Sequence, residues 1–256
     1  MKLIKRILKL SFVFAMVISI SACQNHSGKI TKTEAIYLYG EEHGREADTD
    51  KEFSLWKDYY DKEGMRNLFL EVPNFVAGYL NLWMADDDDQ ILEILRDQYK
   101  YAQGNKLKYY GTLLRRIKKE CPETVFYGTD LSLSFNSLGK NYLKYLEKHK
   151  DEEEITRINE VIDQGEKMDS YIKKYQKNQA ERMLTKSFDY REQMLVENFI
   201  YEFDKLEDKR IMGIYGAYHV TDPQKIQMGE AKIMAEQLKD YYSDIVSTNI
   251  LSQMEK

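Results

Sequence analysis

Four histidines occur in this 256-residue chain, and two of them stand three residues after a glycine, in Gly40-Glu41-Glu42-His43 and Gly216-Ala217-Tyr218-His219. Imidazole exchanges protons near neutral pH, and a neighbouring carboxylate can set its tautomer and charge. Glu41 beside His43 therefore makes a candidate general base toward water. Glu71 (in Phe69-Leu70-Glu71-Val72-Pro73) and Asp130 (in Tyr127-Gly128-Thr129-Asp130) are further acids that follow apolar runs. Histidines and carboxylates together also suit a divalent metal of the zinc or manganese kind, with His43, His219 and Glu41 as its donors.

One more residue joins this set from a segment with helical spacing. In Ser187-Phe188-Asp189-Tyr190-Arg191-Glu192, Arg191 shares the apolar face of Phe188, Leu195 and Phe199. A guanidinium there either snorkels to solvent or holds a carboxylate or oxyanion. Asp130 is read as a ligand-binding acid. The acidic run Asp86–Asp89 is a poor calcium loop, because the glycine and terminal Glu of an EF-hand are missing. It suits the positive end of a helix dipole instead.

Short apolar runs must place these residues. Ala35–Tyr39, Asn67–Leu70, Thr124–Tyr127 and Arg210–Tyr215 are rich in β-branched and aromatic residues, and Asp244–Ile250 is a fifth run of this kind. None alternates strictly, which is the pattern of strands buried on both faces of a parallel sheet. Helical spacing is expected over Asp48–Glu63, Asp86–Gln103, Leu107–Lys119 and Leu131–His149. Residues 151–208 are strongly charged, hold one glycine and no proline, and read as long helices without a strand. The expected fold is α/β: a mainly parallel sheet flanked by helices, with a helical insertion at about 151–208 before the last main strand. In such sheets ligands bind beyond the carboxyl ends of the strands, and an ionisable residue follows each of the four main runs.

The chain opens with Lys2, Lys5, Arg6 and Lys9, then the apolar run Leu10–Ala22 and Cys23. That is the layout of an export signal, and the run is short for a membrane span. The ending Ile-Ser-Ala-Cys resembles a bacterial lipobox, which implies removal of residues 1–22 and lipidation of Cys23. The expected location is the bacterial cell envelope, outside the cytoplasm, with the membrane as a partner through that anchor. Residues 23–33 read as a polar tether, and 34–256 as a single domain. Losing the leader shifts the net charge from −5 to −9, which disfavours nucleic acid as a partner. The expected ligand is a small molecule or peptide. Only Cys121 then remains as a thiol, so no intramolecular disulfide is expected.

Gly-Glu-Glu-His-Gly after a first strand, Phe-Leu-Glu-Val-Pro after a second, Arg-Glu-Gln-Met on a helix and Tyr-Gly-Ala-Tyr-His-Val after a late strand resemble one superfamily. It joins erythromycin esterase-like hydrolases, TIKI/TraB-type proteins and ChaN-like haem-binding lipoproteins. The resemblance covers most of residues 35–221 and implies a site at the strand ends built from Glu41, His43, Glu71, Arg191 and His219. In the esterase-like branch a histidine acts as base toward water. The TIKI-like branch ties its histidines to a divalent metal and peptide cleavage, and ChaN-like lipoproteins bind haem. The expected activity is hydrolysis of an ester or peptide bond by a lipid-anchored enzyme. Capture of haem or another ligand without catalysis is the alternative.

Overall fold

The computed structural model describes residues 34–103, 107–133, 136–149, 151–175, 180–221 and 230–254. The segments expected to be an export signal and a tether, with Cys23, lie outside them. Five strands, β1 (Ala35–Glu41), β2 (Asn67–Pro73), β3 (Val125–Asp130), β4 (Arg210–Gly216) and β5 (Val246–Ile250), form one sheet in the order β3-β2-β4-β1-β5. Every pairing in it is parallel. The fold is α/β, a parallel sheet flanked by helices with a helical stretch inserted before β4.

The helices are α1 (Glu46–Glu63), α2 (Asn74–Met84), α3 (Gln90–Gln103), α4 (Leu107–Glu120), α5 (Asn136–His149), α6 (Glu152–Tyr175), α7 (Ala180–Asp204), the short α8 (Ala217–Val220) and α9 (Met234–Tyr242). Strand periodicity splits the core in two. Tyr39, Leu68, Leu70, Met212 and Ile214 meet Phe53 and Trp56 of α1 and the α2 residues Phe75 and Leu80 on one face. Ile36, Leu38, Phe69, Ile211 and Tyr215 meet Leu195 and Phe199 of α7 and Leu238 of α9 on the other. Each fully buried Leu, Ile or Phe contributes roughly 1.5–3 kcal/mol over its exposed state, so two such cores outweigh a few buried charges at the strand ends.

The helical insertion carries the chain between these faces. Ile158, Val161 and Ile162 of α6 join the first core, while Leu195, Phe199 and Phe203 of α7 join the second. Edge strand β3 is capped by a side chain: Asn81 donates to the Phe126 carbonyl at 2.9 Å and accepts from the Phe126 N–H at 2.8 Å. That amide replaces a strand neighbour and blunts the edge.

Three local expectations change. The acids of Asp86–Asp89 form the turn before α3 rather than its first residues, because aspartates bind nearby donors in non-helical geometry: Asp88 accepts from the Gln90 N–H and Asp89 from Trp83 Nε1, each at 2.9 Å. α5 begins at Asn136 instead of Leu131, and Leu133, with φ of 39°, interrupts any helix there. α2 and α9 have no counterpart in the sequence reading. Among the described residues, no helix is long and apolar enough to cross a membrane.

Candidate active site

The polar residues that follow the apolar runs are mostly the last residues of the strands themselves. Glu41 closes β1, Glu71 lies in β2, Asp130 closes β3, and His219 sits on α8 directly after β4. In β2 the pairing with β3 shifts register between Leu70 and Pro73. Such an irregularity re-aims a side chain at a strand end, and the residue it frames is Glu71. Across from it lies Gly128, where a Cβ would come within 2.4 Å of the Pro73 carbonyl oxygen.

The site has two halves. On the α7 side a chain of charges is closed. Arg191 donates from Nη2 to Glu71 Oε1 and to Asp130 Oδ2, each at 2.6 Å, and from Nε to Asp130 Oδ1 at 3.2 Å. His219 Nε2 lies 3.3 Å from Glu71 Oε1, and its Nδ1 is bonded to Glu192. Glu192 is fully buried and accepts the Met234 N–H at 2.6 Å through its other oxygen. Glu71 Oε2 accepts the Gly216 N–H at 2.5 Å. Phe188 lies parallel to the His219 ring, 6.0 Å between centroids.

The electrostatics of this half follow from its pairs. Burial works to discharge His219, but Glu71 and Glu192 more than reverse it and push the imidazole up to about 10. The two acids thus favour the protonated ring, against which stands a second cation, Arg191 Nη1, 3.3 Å from His219 Nε2. Burial likewise opposes ionisation of Glu71, but His219 and then Arg191 hold its carboxyl well below the usual range. Burial also opposes the charge of Arg191, and Asp130 and Glu71 raise it regardless. Three carboxylates thus face two cations, and Arg191 is engaged by protein acids rather than turned to a ligand anion.

The other half is more open. His43 has a side chain 36% exposed, and its Nδ1 lies 2.9 Å from Glu41 Oε1. Its Nε2 faces Glu71 Oε2 at 3.8 Å, which is where the halves meet. Gly216 makes that approach possible: a Cβ there would lie 3.0 Å from His43 Nε2 and 3.2 Å from Glu71 Oε2. The glycine three residues before His219 thus serves His43 as well.

The residues proposed for a metal do not gather around one point. His43 and Glu41 are paired with each other, and the cation seated between Glu71 and Asp130 is a guanidinium. Among the described residues, no group of three or more His, Cys, Asp or Glu side chains is arranged to hold a metal ion. The donor set does not fit a metal ion. The structure brings together Glu41, His43, Glu71, Asp130, Arg191 and His219, and adds Glu192, which the sequence reading passed over. Its signal was present: Glu192, Leu195 and Phe199 are spaced three and four apart, the same apolar face used to single out Arg191.

No family pattern and no curated protein matches the chain significantly. Two solved structures share its fold. One is a Bacillus cereus protein, 15% identical with a TM-score of 0.59 over 85% of this chain. The other is described as a succinoglycan biosynthesis protein, 11% identical with a TM-score of 0.54 over 84% of this chain. The chain spans 65% of the length of each of these larger proteins. At such identities the likeness speaks for the fold.

Proposed function

We propose that this protein is a lipid-anchored envelope hydrolase that cleaves an ester or amide bond by general-base catalysis, with His43 as the base. The observation that carries the reading is the His43–Glu41 pair: Nδ1 is anchored at 2.9 Å while the imidazole is 36% exposed. With its proton on Nδ1, held by Glu41, the ring offers the Nε2 lone pair to water. His43 takes a proton from that water as its oxygen attacks the carbonyl carbon. The imidazolium then returns the proton to the departing alkoxide or amine. Glu41 and Glu71 lie on either side of the ring, and both negative charges favour the imidazolium that forms.

In this reading His219 and Arg191 do not titrate during turnover. They keep Glu71 ionised and fixed beside His43. The resemblance to erythromycin esterase-like hydrolases, carried by the same residues, supports the choice of reaction.

The test is a screen of the full chain against small esters and peptides, followed by His43→Ala and Glu41→Gln. Both variants should lose activity, H43A by about 10²–10⁴-fold, the usual contribution of a general base. Full activity in H43A would sink the mechanism. A Soret shift on adding haem, with no hydrolysis of any substrate, would turn the reading to ligand capture. The anchor is tested by Cys23→Ala, which should release the protein from the membrane fraction.

A further inference from the structure

Glu41 holds the imidazole of His43, but the pair is only two residues apart, so its geometry depends on the backbone of Glu42 between them. His43 stands just beyond β1, in a turn that the Arg45 N–H closes on the Glu42 carbonyl at 3.0 Å. Gly44 takes a φ of 81° there, which only glycine adopts freely. The turn runs straight into α1. Arg45 is the N-cap residue of that helix, and its side chain makes no cap bond. Its carbonyl accepts the first helical N–H groups, those of Asp48 at 3.1 Å and Thr49 at 3.2 Å.

Asp48, the third residue of α1, reaches back past that N-cap. Its Oδ2 accepts the Glu42 N–H at 2.9 Å, six residues away. The side chain is 1% exposed. Its other oxygen accepts no hydrogen bond among the described residues, and Arg45 Nη1 lies 3.7 Å from it. Stabilising the start of a helix does not require this. A serine or threonine at the N-cap does so from the surface, whereas burying a carboxylate costs solvation. What the buried acid adds is a fixed acceptor for the one peptide N–H that lies between Glu41 and His43.

We propose that Asp48 is a positioning residue for His43: by accepting the Glu42 N–H it fixes the backbone between Glu41 and His43, and with it the geometry of their pair. Its use in catalysis rests on the hydrolase reading, but the bond and its effect on the ring do not. An acid that served only the start of α1 would leave the His43 ring unmoved when replaced in a folded variant. An acid that positions the turn would not.

Two NMR measurements on the full chain in detergent test this without any substrate. Asp48→Ala removes the acceptor, and Asp48→Asn keeps an oxygen at the same reach. The Glu42 N–H should exchange with solvent about tenfold faster in D48A, the equivalent of one hydrogen bond, and stay protected in D48N. The ring signals of His43, assigned through H43A, should shift in D48A and return in D48N at the same neutral pH. With a substrate in hand, D48A should lose about 10²-fold in kcat with KM little changed, as expected of a misplaced base, and D48N should restore most of it. A protected Glu42 N–H in D48A overturns the proposal. So does an unmoved His43 ring in a D48A that has lost that protection, or a D48N that behaves as D48A does. If D48A does not fold, Asp48→Ser, one atom shorter in its reach, takes its place with the same expectations. A chain that shows both NMR signatures yet hydrolyses nothing refutes the hydrolase reading and leaves Asp48 where it is placed.

Discussion

Arg191 is the residue on which the closed half of the site depends. Its guanidinium binds Glu71 and Asp130 at 2.6 Å each, and their side chains are only 8% and 4% exposed. Replacing it by leucine strips the buried Asp130 carboxylate of its counter-charge and leaves Glu71 with His219 and the Gly216 N–H, a change that typically costs about 3–5 kcal/mol. R191L is expected to lower the urea midpoint accordingly, and R191K to recover only part of it, since an ammonium cannot serve both acids through a planar fork. A wild-type midpoint in R191L would show that the acids find other partners. The ionisable residues at the strand ends were legible because each interrupts an apolar run at one place in the fold. Glu192 was legible only in part, because its spacing to Leu195 and Phe199 puts it on the apolar face of the helix but does not show that its partner there is His219. The role of Arg191 was only half legible. The apolar face demanded a partner, but the sequence could not say whether that partner was a ligand or the protein's own acids.

Among the elements, the strand ends carry the most stringent packing. A methyl group on Gly216 would meet His43 Nε2 at 3.0 Å and Glu71 Oε2 at 3.2 Å. These are side-chain ends that can move, so Gly216→Ala should fold with little loss of stability but displace His43 and depress turnover. Gly128→Ala is the contrasting case. Its methyl would lie 2.4 Å from the Pro73 carbonyl oxygen, which is backbone. That clash forces β2 and β3 apart and should cost about 1–3 kcal/mol, the usual penalty of overpacking. Paired thermal melts and activity assays separate the two, and equal effects on both readouts in both variants would contradict this ordering. β1, β2, β3 and β4 were readable as short, largely apolar runs, whereas the edge strand β5, Val-Ser-Thr-Asn-Ile with only Val246 buried, shows itself through its β-branched residues. The helix α2 was hidden for a related reason: Asn74–Met84 is apolar nearly all round, packed between the sheet and α5, so it lacks a polar face to reveal a helical period. α9 is only nine residues long, too short for its spacing to stand out.

For the molecule as a whole, the buried charges predict how stability follows pH. His219 is raised from its ordinary 6.5 to about 10. The folded state therefore holds its proton more tightly than the unfolded chain does. That stabilisation is complete below pH 6.5 and is lost as the pH climbs through about 10. Glu71 works in the opposite sense: its folded carboxyl is depressed, so its contribution is present above the ordinary 4.5 and fades as the pH falls below it. Glu202 is raised by burial to about 7, so the fold resists its ionisation and stability declines between 4.5 and 7. Together these place the maximum near pH 4.5, with a decline on the alkaline side that continues through the loss of the His219 contribution above 6.5. Urea titrations from acid to alkaline pH should trace that curve. Lysines and tyrosines also titrate near the top of this range, so the wild-type curve alone does not isolate His219. His219→Gln supplies the comparison: it keeps a hydrogen-bonding amide but binds no proton. The variant should be less stable than the wild type below pH 6.5, and the difference should shrink toward pH 10. Parallel curves for the two proteins across that interval would mean that His219 is neutral in the fold, and that Glu71 is held ionised by Arg191 alone.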